Sequence, residues 1–259
     1  MTMFLPSQIL DMILDEIGSI LDTEIPVGSK TGVVFDYKKG HERVTKFDIM
    51  LQKRITEAAK KIDPEILVIG EESSHSEISA FVEGSLPNDQ IILVDPLDGT
   101  SNVTLNLPIY SSIITYIQNG EVRAVRIYDS LEKSFIGEGD VKRTTRDDRS
   151  SSSDISLIAS PSRLPGNLKI DALKGYRCIY NLRCTGYEYL MLLRGQAEVG
   201  IFPKASVWEH LGGRFLCLEA GLIHQTLNGD QYTRASHGKT VLVAQSTDIL
   251  NNLIEKITC

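Results

Sequence analysis

An α/β fold is predicted from three observations: apolar residues at helical spacing near the N-terminus, short β-branched runs that end on acidic residues, and strand-like stretches alternating with helical ones through the second half. Residues 1–150 read as an α+β half and residues 151–259 as a smaller α/β half.

Ile9, Ile13, Ile17 and Leu21 recur at helical spacing behind Pro6 and Ser7, so an amphipathic helix opens the chain. A polar, Gly-containing stretch follows over residues 28–43. Leu51, Ile55, Ala58 and Ile62 then form one face of a second helix, which Pro64 helps to end. Ile66 to Ile69 and Ile91 to Val94 are β-branched-rich runs bounded by turn signals and read as buried strands. Both run straight into acidic residues. Ile109 to Ile117, Glu121 to Ile127 and Lys133 to Ile136 form a predicted meander, with Asn119-Gly120 as a hairpin turn. Thr144 to Asp154 holds Arg146-Asp147-Asp148-Arg149 and a run of serines, with no apolar residue to bury. It is the expected boundary between the halves, a surface hairpin tip being the alternative. Beyond it, strand-like runs at Ile155 to Ala159, Arg177 to Tyr180, Glu198 to Phe202 and Thr240 to Ala244 alternate with helical stretches near Gly186 to Arg194, Glu209 to Ala220 and Asp248 to Ile257.

The 259 residues, 42% apolar and 24% charged, have the composition of an ordinary globular protein without a membrane span. Asp11, Asp15 and Glu16 break the N-terminal apolar stretch that a secretory signal needs, so a cytoplasmic location is expected. The four cysteines are far apart and read as free thiols, and the five histidines are scattered without ligand spacing. A formal charge of −7 argues against a nucleic-acid polymer as partner. For an anionic substrate, bound cations must invert the local sign of the site.

Such a cation site is suggested by Asp95-Pro96-Leu97-Asp98-Gly99-Thr100-Ser101-Asn102. Pro96 stiffens the turn and Gly99 permits close backbone approach, so two carboxylates can converge on one point where hard divalent cations find oxygen ligands. A short helix starting near Thr100 would aim backbone N–H groups at the same point. Gly70-Glu71-Glu72-Ser73 leaves the preceding strand in an equivalent place, so parallel neighbours would set Glu71 beside Asp95. Val44-Thr45-Lys46-Phe47-Asp48 opens the second helix, with Thr45 or Asp48 able to serve as cap or first-turn acid.

In this order the three motifs resemble the inositol monophosphatase and fructose-bisphosphatase superfamily, and Trp208-Glu209 with Glu219-Ala220-Gly221 resembles a fourth element of it. The resemblance implies a layered αβαβα sandwich and a phosphatase for small phosphate monoesters such as inositol or sugar phosphates. It implies two or three Mg2+ held by Glu71, Asp95, the Leu97 carbonyl, Asp98 and Glu209. Glu71 and Thr100 would act on the attacking water, Asp48 would orient Thr100, and Gly99, Thr100, Cys184, Thr185 and Glu209 would contact the substrate. A homodimer and lithium sensitivity are further expectations from the family. Same-site alternatives are a 3′(2′),5′-bisphosphate nucleotidase and a catalytically weakened sensor of metal and phosphate.

The sequence departs from the family pattern at Glu209 and Phe202, at Arg183-Cys184-Thr185-Gly186 in place of small residues, and in the meander around Lys133 to Arg143, which lacks the family's Gly-rich turns. Glu209 stands where the family has aspartate, one methylene longer by roughly 1.5 Å; Ser206 to Glu209 also fits a helix capping box, as does Thr185 to Glu188. Phe202 stands where inositol phosphatases carry a ring-binding glutamate, which disfavours inositol phosphate itself and leaves Phe202 to face a base or ribose in the nucleotidase reading.

Overall fold

The computed structural model describes residues 4–27, 33–37, 43–140, 155–160, 173 and 175–258. The expected boundary at 144–154 lies outside them. Five layers result from which face each strand buries. The first is α1 (Pro6–Ser19), extended by a π turn at Ile20–Glu24, packed with α2 (Lys46–Ile62). Their stripes, Ile9, Ile13 and Ile17 with Leu51, Ile55 and Ala58, meet Ile92, Val94, Ile114 and Tyr116 on one face of a five-stranded sheet. That sheet, the second layer, comprises β3 (Leu67–Gly70), β4 (Gln90–Asp98), β5 (Ser111–Gln118), β6 (Glu121–Asp129) and β7 (Ser134–Gly137) in that order. Only β3 and β4 are parallel. The β5–β6 turn is built as expected, Asn119 and Gly120 both having positive φ (53° and 78°) as a primed hairpin turn requires.

The alternate residues Ile91, Leu93, Ile113 and Ile127 cover the third layer, α5 (Thr185–Leu193) and α6 (Val207–Glu219). Side-chain alternation along a strand is what lets one sheet bury both faces. A second sheet follows: β8 (Ser156–Ala159), β9 (Cys178–Tyr180), β10 (Val199–Phe202), β11 (Ile223–Thr226) and β12 (Val241–Ala244), ordered β11-β12-β10-β8-β9. Its inner face joins the α5/α6 core through Ile158, Phe202, Val241 and Val243, and its outer face is closed by α7 (Thr247–Thr258) through Leu250, Leu253 and Ile257. The two halves therefore share one continuous apolar core.

Four of these elements were not anticipated. The hairpin β1 (Phe35–Tyr37) and β2 (Arg43–Thr45) lies in the polar stretch, and α3 (His75–Glu83) fully buries only Phe81. Neither has enough buried positions to leave a period in the sequence. Strand β11 is a sheet edge whose residues Ile-His-Gln-Thr carry little strand signal. Finally, β4 does not stop at Val94. It runs on to Asp98.

Candidate active site

The parallel register Gly70↔Val94 puts the next residues, Glu71 and Asp95, side by side, and the Glu71 N–H donates to the Val94 carbonyl at 3.1 Å. Gly70 is required by crowding, since a Cβ there would lie 2.8 Å from the Val94 oxygen and collide with the Gln52 carboxamide. Gln52 in turn accepts from the Glu72 N–H at 3.1 Å and donates to Ser73 Oγ at 3.2 Å, so one helix side chain clamps the loop bearing Glu71.

Residues three apart on a regular strand point to opposite faces. Asp95 and Asp98 nevertheless converge, because the pairing with β5 slips between Asp95↔Ile113 and Asp98↔Ser111 in a bulge carrying Pro96 and Leu97. Gly99, at φ 85°, then turns the chain into α4 (Thr100–Thr104). A side chain at 99 would meet the Ile109 carbonyl at 3.0 Å and Cys184 Cβ at 3.2 Å, so conformation and space both demand glycine.

The C-terminal half completes the cluster. The Gly186 N–H donates to Asp98 Oδ2 at 2.6 Å, and Cys184 Sγ lies 3.3 Å from the same oxygen. Cys184 is fully buried, its thiol turned to Asp98 rather than to open solvent. Neither anticipated capping box forms among the described residues. Glu188 takes the Leu182 N–H at 2.7 Å, and Glu209 has the Thr185 side chain near enough to favour its charged form. Freed from capping, Glu209 joins Asp95 and Asp98, with one carboxylate oxygen of each within 4.8 Å of the others. Glu71 stands just outside this trio but close enough to act on all three electrostatically.

Burial and mutual repulsion dominate the electrostatics. Asp95 is raised well above the ordinary carboxylate range, first by burial and then by Glu71, Asp98 and Glu209. Asp98 rises to about 6, burial outweighing the bonds from Gly186, Cys184 and Thr185 that favour its charged form. Glu209 is pushed up by burial and by Asp98. Among the described residues neither oxygen of Asp95 has a hydrogen-bond partner. A buried carboxylate costs several kcal/mol unless paired or coordinated. Hard-oxygen donors converging around an orphaned carboxylate fit a magnesium-type cation, which takes oxygen ligands.

Asp48 performs both roles left open by the sequence. Its Oδ2 accepts from the Thr45 N–H at 2.7 Å, making the capping box of α2, while its Oδ1 accepts from the Thr100 hydroxyl at 2.8 Å. The Leu97 carbonyl, 2.9 Å from the same hydroxyl, is the competing acceptor.

A profile of the Inositol monophosphatase family matches residues 10–258. The chain belongs to this family. The inositol-1-monophosphatase of Bacillus subtilis (strain 168) is 21% identical over 206 residues, which cover 74% of this chain and 76% of that protein. Nus factor SuhB of Pasteurella multocida (strain Pm70) is 25% identical over 239 residues, 85% of this chain and 84% of that one. A solved IMPase/NADP phosphatase complexed with Mg2+ and phosphate has a TM-score of 0.78 over 96% of this chain and 94% of its own, at 16% identity, a likeness of fold.

Against the inositol monophosphatase pattern, one expectation needs correction. Phe202 does not face a substrate: it is 5% exposed and stacks on Tyr189 at 5.2 Å, packing over Gly200 in the core. Apolar burial explains the inward turn, since the ring has no polar edge to keep in water. Nor are all the histidines isolated, because His210 and His224 meet on the Tyr189 hydroxyl. Sequence reading also missed three supporting residues, Gln52, Gly186 and Asn102. Asn102 donates to the Ile109 and Leu182 carbonyls at 2.8 and 2.7 Å, tying α4 to the approach of α5. The asparagine of the Asp-Gly-Thr motif was the available signal for it. Gln52, one helical turn beyond Asp48, could be found only from the i, i+4 face the two share.

Proposed function

We propose that this chain is a magnesium-dependent phosphatase that hydrolyses a small phosphate monoester, an inositol phosphate, a sugar phosphate or a related compound. The observation that carries the reading is Asp95, buried without a hydrogen-bond partner among Asp98, Glu209 and Glu71. Asp95, Asp98, Glu209, Glu71 and the Leu97 carbonyl would hold two or three Mg2+ ions. Bound there, magnesium supplies positive charge to the phosphate oxygens and acidifies water. Thr100, donating a hydrogen bond to Asp48, would keep lone pairs free to accept from an attacking water, and Glu71 would be the carboxylate nearest that water. Gly99 and Thr100 N–H groups would receive the phosphate, with Thr185 at its edge.

Phe202 in the core removes one argument for a nucleotide substrate, yet leaves no carboxylate at the place where inositol phosphatases bind the ring. A bisphosphate nucleotidase is therefore kept as the alternative within the same chemistry. The relation to Nus factor SuhB favours the sensor as a second reading, while the intact Asp48–Thr100 pair favours catalysis, because a binding module has no need to orient water. A homodimer belongs to this proposal on family resemblance alone and a cytoplasmic location on the acidic residues near the N-terminus; light scattering tests the size. For the described residues, no helix is long and apolar enough to cross a membrane. The deciding experiment is phosphate release from inositol, sugar and nucleotide phosphates with magnesium and with chelator. Turnover undiminished by chelator, or none on any substrate, would overturn the reading.

A further inference from the structure

Behind the carboxylates lies a buried stack of rings. His210, Tyr189 and His224 are 2%, 0% and 5% exposed, and the Tyr189 hydroxyl sits 2.6 Å from His210 Nδ1 and 2.9 Å from His224 Nε2. Phe202 stacks on Tyr189, and Tyr232 packs against both imidazoles, so the ring planes are fixed. The other nitrogen of His210, Nε2, lies 3.5 Å from Glu209 Oε2. That is long for a full hydrogen bond but close enough for a dipole to hold a charge. Neighbouring positions on a helix do not ordinarily face each other, so the approach must be enforced from the far side of the ring.

The hydroxyl has one proton, which limits the chain to two polarities if both imidazoles are neutral. In one, Tyr189 donates to His210 Nδ1 and accepts from His224 Nε2–H. His210 then presents Nε2–H to Glu209, and the chain ends on a bare lone pair at His224 Nδ1. In the other, His210 points a lone pair at the Glu209 carboxylate and His224 buries an N–H at Nδ1. Among the described residues His224 Nδ1 has no partner, and an orphaned buried N–H is the rarer defect. The first polarity wins at His224, and at Glu209 for the charged carboxylate that a cation site requires.

We propose that His210 is a positioning residue for Glu209, its Nε2–H fixed in that tautomer by Tyr189 and His224 and aiming the longer glutamate arm at Asp95 and Asp98. Glutamate has one more rotatable bond than the aspartate of the family pattern, so a longer arm needs a second group to aim it. The inference rests on the reading of Glu209 as a metal ligand.

Two measurements test it, with Mg2+ alone as the probe. In the Mg2+-saturated parent, 15N NMR of the imidazoles should show His210 and His224 as Nε2–H tautomers; a His210 Nδ1–H tautomer overturns the proposal. Calorimetric Mg2+ titration should show His210→Phe weakened about tenfold and His210→Gln, which restores an N–H donor, much less so. In a Glu209→Gln background, His210→Phe should add under about twofold. Equal losses in both backgrounds, or parental affinity in His210→Phe, overturn the proposal while leaving Glu209 a ligand. Parental affinity in Glu209→Gln overturns the ligand reading itself. Should His210→Phe fail to fold, Tyr189→Phe keeps the stack and removes only the hydroxyl: mixed His210 tautomers with weaker Mg2+ binding support the mechanism, and an unchanged tautomer with unchanged affinity defeats it.

Discussion

The Thr100 hydroxyl donates a hydrogen bond to one oxygen of Asp48 at 2.8 Å while the other oxygen of that carboxylate accepts from the Thr45 N–H at 2.7 Å. One side chain thus serves the helix and the site together, and the two services are separable. Thr45→Ala should cost about 1 kcal/mol of stability, the usual worth of an N-cap, with turnover within about threefold of the parent. Asp48→Asn keeps the size but weakens the acceptor for Thr100, and should lower kcat by at least about tenfold with substrate KM little changed. Thermal melts and kinetics on both variants check this, and equal catalytic losses in the two would contradict it.

Asp95 is a liability to the metal-free fold, being buried, unpartnered and surrounded by like charge. Asp95→Asn should therefore raise the melting temperature of the metal-free protein while erasing the gain produced by Mg2+. Turnover should fall by more than about a hundredfold, several kcal/mol of lost transition-state stabilisation. A variant that melts lower than the parent without metal, or still gains from Mg2+, argues against this site.

Gly186 lies where α5 meets β5. A Cβ at that position would come within 2.8 Å of Ser111 Cβ and strike its hydroxyl, pushing away the N–H that holds Asp98. Gly186→Ala should cost about 1–3 kcal/mol by overpacking and raise the Mg2+ concentration for half-maximal rate. Unchanged stability together with an unchanged metal requirement would show that the Asp98 contact is dispensable.

Acid should weaken the fold through His224. Burial and Arg214 lower its pKa from 6.5 to about 3, so between those values the unfolded chain binds a proton that the native one refuses. Stability from this residue is present above pH 6.5 and lost as pH falls towards 3. Asp98, raised from 3.8 to about 6, acts in the opposite direction in the metal-free protein, its contribution being lost as pH rises through 6. Comparing the parent with His224→Gln cancels the Asp98 effect. Between pH 7.5 and 5 the parent should lose about 2 kcal/mol more than the variant in denaturant unfolding. Parallel stability curves would rule the mechanism out.

Local order was legible in the sequence because it is encoded in spacing. The stripe of Ile9, Ile13 and Ile17, the β-branched runs before Glu71 and Asp95, and Asn119-Gly120 each specify a conformation by short-range sterics or by a buried face, and all three are realised. The carboxylates Asp95 and Asp98 were legible for the same reason, being three positions apart at a strand end, whereas Asp48 and Thr100, far apart in the chain, were named from the family resemblance. Tertiary structure alone decided the remainder. Whether Glu209 capped a helix or joined Asp95 and Asp98 depended on where α6 docks, more than a hundred residues along the chain, and spacing carries no information about that. The same holds for Phe202, turned into the core by Tyr189, and for two histidines scattered in sequence that share one hydroxyl. Packing between the two sheets chose these partners, because a side chain's charge state and role are set by what surrounds it after burial, and only the folded core supplies those surroundings.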